Sequence, residues 1–543
     1  MKHYVIGIDF GTLSGRCVIV DAATGEEKAE SVLPYAHAVM DDSLPSGEAL
    51  PAAYALQHPA DYLDVLRVTV RDAMQKANVT SNEIAGIGID FTSCTLIPVD
   101  KSNTPLCFLD AYKNEKHAYA KLWKHHASQP EADEITSLAA ARGEEWLPIY
   151  GGKISSEWML PKILEVLHHA PEIYDATDRF TEAADWITRV LTGNETHSVT
   201  LAGFKGLWNA QTGYPSNEFM KALDPRLDGI VGTKISTNVQ PIGALAGSIN
   251  DVGAELTGLE VGTPVAIPII DAHAAMPALN ITKTEDAMLI VGTSSCLLLN
   301  SDTVKPVDGI CGYVKDSVIP SLYTYEAGQA GVGDIFDWFV KTCVPTTYSE
   351  EANTRGISIH KLLREKAMRL APGESGLVAL DWWSGNRSVL VNSKLTGMIL
   401  GMKLTTKPEE IYRALIEATA FGLHRIVEQY RTAGITLGTL CAAGGIAQKD
   451  EMMMQIYADV LNCDIEIAAS TQAAALGSAI YASVTAGLYP DLPTAAEKMS
   501  APPVKVYHPI AENVSAYASL YREYKTLHDY FGKENSVMER LWK

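Results

Sequence analysis

Two stretches of this chain, one at its start and one near its middle, follow the same plan of apolar strand, polar turn and apolar strand. Residues 5–20 read V-I-G-I-D-F-G-T-L-S-G-R-C-V-I-V, and residues 287–300 read A-M-L-I-V-G-T-S-S-C-L-L-L-N. Both turns contain Gly and Thr in succession and a Ser two residues after the Thr. Helix and strand patterns alternate after each hairpin. The repeat therefore predicts an internal duplication with two α/β domains.

The first hairpin carries polar chemistry at its turn. Turn N–H groups and the hydroxyls of Thr12 and Ser14 are suited to cradling a phosphate, and Arg16 adds a fixed positive charge. Asp9 does not fit a simple anion site, because a carboxylate beside phosphates indicates a divalent cation between them. We therefore expect Mg²⁺, held through water, at this turn. An ordinary glycine-rich hairpin without a ligand is the alternative interpretation.

The chain is strongly acidic. It contains 44 lysines and arginines against 65 aspartates and glutamates, a formal net charge of −21. Non-specific binding to nucleic acid or to an anionic membrane is therefore not expected. No apolar run approaches the roughly 18 residues of a membrane helix, and no signal-peptide pattern precedes the first strand. The eight cysteines form no C-x-x-C pair and lie mostly among apolar neighbours, which favours a reducing cytoplasm.

Two predicted strand ends carry polar side chains. An apolar strand within residues 263–280 delivers Asp271 to the start of a small-residue helix, and the strand at residues 84–91 ends in the cluster Thr92-Ser93-Cys94-Thr95. Ligands usually bind where the strands of an α/β sheet end. Asp271 is a candidate general base, because burial raises a carboxylate pKa towards the working range. A simple role as a helix N-cap is the alternative.

Three further segments give local predictions. Residues 115–140 have a helical pattern, and residues 200–208 are predicted as a loop with a short strand around Lys205. Lys205 is either a functional cation or an ordinary solvated lysine. Gly444-Gly445 follows a buried strand and precedes a Met-rich helix, a turn that suits the close approach of a flat ligand. A plain tight turn remains the alternative there.

Other nucleotide-binding motifs are missing from the sequence. Gly151-Gly-Lys153 is followed by Ile154 and lacks the earlier glycine of a P-loop, and the glycines at 328–333 form only a loose cluster. No zinc-ligand spacing occurs. Two phosphate-type hairpins with one strand-end carboxylate between them remain. The simplest geometry that uses both hairpins is a nucleotide in a cleft between two domains.

The ordered set of motifs resembles the FGGY family of carbohydrate kinases over essentially the whole chain. The matching segments are I-G-I-D-F-G-T-L-S-G-R at 6–16, I-I-D-A-H-A-A at 269–275, V-G-T-S-S-C at 291–296 and A-A-G-G-I-A-Q-K at 442–449. The resemblance implies two ribonuclease-H-like (actin-like ATPase) domains with a nucleotide and sugar cleft between them. We expect an N-terminal domain over 1–275 with the sugar site and a C-terminal domain over 276–543 with the adenosine motif.

Within the family, the segments at 122–126, 202–208 and 325–339 look most like the branch that phosphorylates L-ribulose. The resemblance implies ATP and Mg²⁺ as cofactors, transfer of the γ-phosphoryl group to a ketopentose, and a role in L-arabinose catabolism. The catalytic base would be Asp271, which would also hold the metal together with Asp9. The implied ATP ligands are Thr12, Ser14, Arg16, Gly292, Thr293, Gly333, Gly444, Gly445 and Gln448. The implied sugar ligands are Ser93, Trp123, Lys205, Asp271, Glu326 and Gln329.

Two departures from the family pattern bear on the substrate. Many relatives have Trp-x-Asp in the substrate loop, but His125 stands at the Asp position here, and Gly385-Asn-Arg387 replaces Gly-Glu-Arg. A kinase for another pentulose or polyol, such as xylulose or ribitol, is therefore one alternative. An actin-like or chaperone-like ATPase is the alternative from a different class. A homodimer is a further expectation from the resemblance.

Overall fold

The computed structural model describes residues 3–470 and 472–541. The chain forms two compact units. The first contains Met1–Lys283, Tyr313–Thr324 and Gln472–Ala501, and the second contains Thr284–Gly312, Tyr325–Thr471 and Pro502–Lys543. These units differ from the predicted division into 1–275 and 276–543, because residues 276–283 and two later segments also belong to the first unit.

Strands and helices alternate along much of the chain. The strands are β1 Tyr4–Phe10, β2 Ser14–Asp21, β3 Glu27–Pro34, β4 Leu56–Gln57, β5 Ile84–Phe91, β6 Leu96–Val99, β7 Ala120–Lys121, β8 Arg179–Glu182, β9 His197–Ser198, β10 Val239–Gln240, β11 Leu245–Ser248, β12 Pro264–Ala266, β13 Ile269–Ile270, β14 Ala287–Val291, β15 Ser295–Ser301, β16 Gly312–Lys315, β17 Tyr323–Gln329, β18 Val378–Leu380, β19 Met398–Leu400, β20 Leu440–Ala443, β21 Ile465–Ile467 and β22 Lys505–Tyr507. The helices are α1 Pro59–Ala77, α2 Gln129–Arg142, α3 Met159–His169, α4 Pro171–Ala176, α5 Ala183–Thr192, α6 Val199–Lys205, α7 Asn217–Leu223, α8 Ile230–Thr233, α9 Asp251–Thr257, α10 Asp271–Ala278, α11 Gly333–Cys343, α12 Thr346–Thr354, α13 Ile359–Ala367, α14 Pro408–Thr432, α15 Gly445–Lys449, α16 Glu451–Leu461, α17 Ala473–Thr485, α18 Leu492–Met499, α19 Ala511–Asp529 and α20 Val537–Leu541.

The first unit is built on a mixed sheet with the strand order β3-β2-β1-β5-β12-β11, and β13 also pairs with β5. β1 is antiparallel to β2 and parallel to β5, and β5 is parallel to β12. Every residue of β5 is buried, as expected for a central strand covered on both faces. The parallel strands bring their carboxyl ends to one edge of the sheet.

The second unit repeats this topology. Its sheet contains the order β17-β15-β14-β20-β21-β22. β14 is antiparallel to β15 and parallel to β20, β20 is parallel to β21, and β21 is antiparallel to β22. Each unit thus starts with a hairpin whose first strand pairs in parallel with a later strand. The predicted duplication is confirmed, and with it the α/β fold class.

The small-residue helix α17 packs unusually closely on the first sheet and on α10. A Cβ atom added at Gly7 of β1 would lie 1.8 Å from the carbonyl oxygen of Ala475, and one at Gly88 of β5 would lie 1.9 Å from that of Ser478. A Cβ at Gly477 would lie 1.6 Å from the carbonyl oxygen of Ala274. Backbones can approach this closely only where no side chain intervenes, so the glycines fix the position of α17.

Two local predictions are wrong. Residues 115–128 are not part of a continuous helix: a 3₁₀ turn at Lys116–Ala118 and the short strand β7 precede α2, whose first residue is Gln129. The helical spacing there reflects side chains that face the interior from turns. Conversely, residues 199–205 form helix α6 instead of a loop and strand. The burial of every α6 residue shows that tertiary packing outweighs the low helix propensity of its Gly and Thr.

Within the described residues, no helix combines the length and the apolar character that crossing a membrane requires. All eight cysteines are free thiols.

Candidate active site

Three carboxylates lie at the carboxyl edge of the first sheet. Asp9 of β1 stands opposite Asp90 of β5 in the parallel register, and Ile269 of β13 also pairs with Asp90. Asp271 follows β13 directly and is the first residue of α10. Three adjacent strands therefore deliver one aspartate each to the same edge, where ligands of α/β sheets usually bind.

Asp90 is the member of this group that the sequence analysis missed. Its side chain is 0% exposed, and one of its carboxylate oxygens, Oδ2, accepts a hydrogen bond of 2.6 Å from the Ser478 hydroxyl of α17. Burial raises the pKa of Asp90 well above its ordinary value, and the nearby charge of Asp9 raises it further. The repeated pentapeptide I-G-I-D-F, at 6–10 and again at 87–91, is the sequence signal that could have revealed it.

Asp9 is held by a salt bridge across the first hairpin. Its Oδ2 lies 3.1 Å from Nε of Arg16, which stands opposite it in the antiparallel register. Burial raises the pKa of Asp9, while the Arg16 charge and a hydrogen bond with Asp90 oppose that shift. Arg16 also donates a 2.5 Å hydrogen bond to Oε1 of Gln472, the residue before α17. Arg16 is thus fixed in a position where it can meet an anion.

The carboxylate group is chemically suited to a hydrated divalent cation. Buried carboxylates that crowd one another are stabilised by a positive charge, and oxygen ligands are those that Mg²⁺ prefers. Among residues 3–470 and 472–541, no cluster of three or more His, Cys, Asp or Glu side chains is arranged as a direct metal cage.

Asp271 is anchored by its own helix. Its Oδ1 accepts a 2.6 Å hydrogen bond from the backbone N–H of Ala272. Asp271 is the first residue of α10, and its carboxylate satisfies an N–H of the first turn, while Ile270 in the capping position provides no side-chain bond. The side chain is half-buried, so it remains accessible to a substrate.

The turn of the first hairpin connects the predicted phosphate ligands with a predicted sugar ligand. Gly11 N–H bonds to the carbonyl oxygen of Ser14 at 3.0 Å, and the Tyr35 hydroxyl donates to the carbonyl oxygen of Gly11. The indole Nε1–H of Trp123 donates to the hydroxyl of Thr12 at 3.1 Å. A phosphate at this turn and a sugar beside Trp123 would therefore be neighbours.

The other sugar candidates of the first unit lie on two elements. Ser93 belongs to the loop that follows β5, where the hydroxyls of Thr92 and Thr95 are 2.9 Å apart. Lys205 ends α6, is only 7% exposed and has its Nζ 5.9 Å from the ring centre of Phe204. The alternative of an ordinary solvated lysine is therefore wrong. A buried ammonium at this position is suited to a hydroxyl-rich ligand.

The second hairpin is tied to the start of α11. The backbone N–H of Val332 donates to the carbonyl oxygen of Thr293 at 2.7 Å, and that of Gly333 donates to the carbonyl oxygen of Gly292 at 3.0 Å. A Cβ at Gly333 would lie 2.7 Å from the same Gly292 oxygen. Three predicted ATP ligands are thus brought together in the second unit.

The turn after β20 joins this group. Gly444 has φ 100° and ψ 161°, and a Cβ there would lie 2.5 Å from the carbonyl oxygen of Val291, beside Gly292. Gly445 opens α15, and a Cβ there would meet no atom within 4 Å. Gln448 Nε2 donates a 3.4 Å hydrogen bond to the carbonyl oxygen of Ala468. Open space in front of Gly445 suits the approach of a flat base.

Glu326 and Gln329 lie on β17 in the second unit, and their environments differ. Glu326 is 9% exposed. The Gln329 amide is occupied: Oε1 accepts from the Ser295 hydroxyl at 2.9 Å, and Nε2 donates to Asp381 Oδ2 and to the Thr419 carbonyl oxygen, both at 2.8 Å. With both amide donors used, Gln329 is placed to support the second hairpin, so we do not retain it as a sugar ligand.

Comparisons with known proteins agree over the whole chain. The N-terminal domain of the FGGY family of carbohydrate kinases matches residues 4–277, and the C-terminal domain of that family matches residues 287–486. A ribulokinase from Halalkalibacterium halodurans is 49% identical over 544 residues, which cover 99% of this chain and 97% of the relative. A ribulokinase from Geobacillus thermodenitrificans is 49% identical over 550 residues, covering 100% of this chain and 97% of the relative.

Solved structures show the same fold at lower identity. The xylulose kinase of Rhodospirillum rubrum superposes with a TM-score of 0.79 at 22% identity, covering 97% of this chain and 98% of that one. A glycerol kinase of Plasmodium falciparum solved with ADP gives a TM-score of 0.77 at 19% identity, covering 96% and 98%.

Proposed function

Since the chain belongs to the FGGY family of carbohydrate kinases, we propose that it transfers the γ-phosphoryl group of ATP to the terminal hydroxyl of L-ribulose. The products are L-ribulose 5-phosphate and ADP. The observation that carries the chemistry is the position of Asp271 beside Asp9 and Asp90 at the edge of the first sheet. The choice of ribulose rests on full-length relatives that are named ribulokinase.

Asp271 acts as the general base. It accepts the proton of the sugar hydroxyl as that oxygen forms a bond to the γ-phosphorus, and the bond from phosphorus to the bridging oxygen of ADP breaks. A positioned base contributes typically about 10²–10⁴-fold. The rest of the acceleration comes from alignment and charge stabilisation. In this role Asp271 uses the oxygen that does not bond to the Ala272 N–H.

The two hairpins hold the phosphates. Thr12, Ser14 and Arg16 are the proposed phosphate ligands at the turn of the first hairpin, and Gly292 and Thr293 are those at the turn of the second. Gly333, Gly444, Gly445 and Gln448 line the nucleotide site. Asp9 and Asp271 would hold Mg²⁺ through water, and the ion would supply positive charge next to the phosphates.

The proposed sugar ligands offer several kinds of polar group. Ser93, Trp123, Lys205 and Asp271 of the first unit offer hydroxyl, indole, ammonium and carboxylate groups to the ketopentose, and Glu326 is proposed as a further ligand. The hydrogen bond from Trp123 to Thr12 supports this assignment, because it couples the sugar side to the phosphate turn.

The physiological setting follows from the reaction. A kinase that produces L-ribulose 5-phosphate serves L-arabinose catabolism and works where ATP is available, in the cytoplasm. The eight free thiols are compatible with that compartment. We also propose a homodimer, which light scattering on the purified protein tests directly.

A coupled assay of ADP release against a panel of sugars tests the proposal. The panel contains L-ribulose, D-ribulose, D-xylulose, ribitol and glycerol, and mass spectrometry identifies the phosphorylated product. The proposal predicts the highest kcat/KM with L-ribulose and almost no ADP release without a sugar. A clear preference for another polyol would contradict the substrate assignment. ADP release that is independent of every sugar would favour the ATPase alternative.

A further inference from the structure

Helix α3 presents two buried charges to the sugar side of the first unit. Lys162 is 0% exposed and Glu165 is 1% exposed. Residues three apart in a helix project from the same side, so the two side chains face the same neighbours. None of the sequence motifs includes either residue.

Lys162 binds main-chain oxygens from both predicted sugar loops. Its Nζ donates to the carbonyl oxygens of Leu122 at 2.9 Å and Lys121 at 3.3 Å, and also to that of Cys94. An ammonium has three donors, and here each one has a carbonyl acceptor. Cys94 follows Ser93, and Leu122 precedes Trp123. One side chain therefore links the backbone of the two loops that carry these ligands.

Glu165 binds side chains on both sides of Trp123. It accepts hydrogen bonds from Lys121 Nζ at 3.0 Å and from His125 Nε2 at 2.9 Å. The other ring nitrogen of His125 accepts from the backbone N–H of Ala55 at 3.3 Å, which fixes the neutral tautomer. Through these contacts the His125 side chain faces α3.

Buried ionic groups are a poor way to gain stability, because desolvation offsets most of their attraction and apolar replacements often serve as well. The three ionisable side chains of Lys121, Lys162 and Glu165, together with the neutral imidazole of His125, are each at most 1% exposed around the Trp123 segment. Their hydrogen bonds hold a precise backbone geometry, and a site must be held within about 0.5 Å to bind selectively.

We propose that Lys162 and Glu165 are positioning residues that fix the spacing between Ser93 and Trp123 and so set the affinity and selectivity for the sugar. This inference rests on the proposed function in so far as Ser93 and Trp123 bind the sugar. Neither residue of α3 touches the substrate, and both act through the loops that they hold.

The test is Lys162→Met, which keeps most of the length of the side chain but removes the donor to three carbonyl oxygens. We expect the KM for L-ribulose to rise about tenfold and the ratio of kcat/KM between L-ribulose and D-xylulose to fall about fivefold, while the KM for ATP stays within about twofold. The control is Lys221→Met, which removes an exposed lysine paired with Asp228 at 2.9 Å in the same unit and is expected to change none of these constants.

Unchanged sugar KM and unchanged selectivity in folded Lys162→Met would overturn the proposal. If that variant does not fold, Glu165→Gln decides. It retains an acceptor for His125 but removes the charge that Lys121 needs, and the same shift in sugar KM and selectivity is expected. If the wild type prefers another sugar of the panel, the proposed substrate fails, and the same comparison with the preferred sugar still tests the positioning role.

Discussion

Alanine substitutions at the adjacent residues Gly444 and Gly445 separate folding from nucleotide binding in the second unit. Gly444 has a backbone conformation that is essentially restricted to glycine, and a Cβ there would lie 2.5 Å from the carbonyl oxygen of Val291. Gly445 begins a helix, and a Cβ there would lie in open space. Although both changes add one methyl group, Gly444→Ala should lower stability, whereas Gly445→Ala should preserve stability and weaken nucleotide binding.

The expected loss in the free energy of unfolding of Gly444→Ala has two contributions. The strained backbone costs about 1–3 kcal/mol, and displacing the Val291 carbonyl costs a further ~1–3 kcal/mol. A loss of roughly 4 kcal/mol lowers the unfolding temperature of a domain of about 150–250 residues by roughly 10 °C. Gly445→Ala gains helix propensity of up to about 1 kcal/mol, so its unfolding temperature stays equal or rises.

The assay combines calorimetry with steady-state kinetics. Gly445→Ala is expected to raise the KM for ATP roughly tenfold, because its methyl group occupies space that the base needs, whereas the KM for sugar stays within about twofold. Gly444→Ala is expected to unfold at a lower temperature than the wild type. An unchanged KM for ATP in Gly445→Ala would refute the placement of the nucleotide at this turn, and an unchanged unfolding temperature in Gly444→Ala would refute the packing argument.

Three further predictions concern the first unit. Burial raises the pKa of Glu182 from 4.5 to about 7. The folded protein therefore binds this proton more tightly than the unfolded chain, and the free energy of unfolding falls as the pH rises from 4.5 to about 7. Denaturant titrations should show that the free energy of unfolding of Glu182→Gln rises by about 2–3 kcal/mol relative to the wild type between pH 5 and pH 8. Trp123→Phe removes the hydrogen bond to Thr12 and should lower kcat/KM for sugar about fivefold, while Thr12→Ser, which keeps the hydroxyl, should not. Gly7→Ala places a Cβ 1.8 Å from the Ala475 carbonyl oxygen and should lower the unfolding temperature by several degrees, whereas an unchanged temperature would contradict the packing of α17.

The sequence predicts elements well where hydrophobic periodicity and local signals agree. Strand β5 covers Ile84–Phe91, as the mostly apolar run at residues 84–91 indicates. The duplicated hairpins also lie where the repeat places them. In these segments, local propensity and tertiary packing favour the same structure.

Prediction fails where long-range contacts decide the local structure. Helix α6 forms because its residues are all buried, and the segment before Trp123 is bent because Lys121 and His125 turn inward to Glu165. No local pattern contains such partners, because Glu165 is 40 residues or more away in the sequence.

In the candidate site, too, local sequence reveals some residues and long-range contacts define others. Asp9 and Asp271 could be recognised from strand-end motifs, whereas Asp90 sits in an apolar strand and acquires its role only from the register with Asp9. Gln329 lies within a recognisable motif, but its amide is used by Ser295, Asp381 and Thr419 inside the second unit. A motif indicates which residues are near a site, while the hydrogen bonds decide which of them remain available to a ligand.

The kinetics of Asp271→Asn test the central claim most directly. Asparagine keeps the oxygen that accepts the Ala272 N–H, so the unfolding temperature should stay within about 2 °C of the wild type. The account predicts that kcat for phosphoryl transfer to L-ribulose falls about 10²–10⁴-fold, because the hydroxyl proton has lost its acceptor. A folded Asp271→Asn variant that phosphorylates L-ribulose at nearly the wild-type rate would contradict the account.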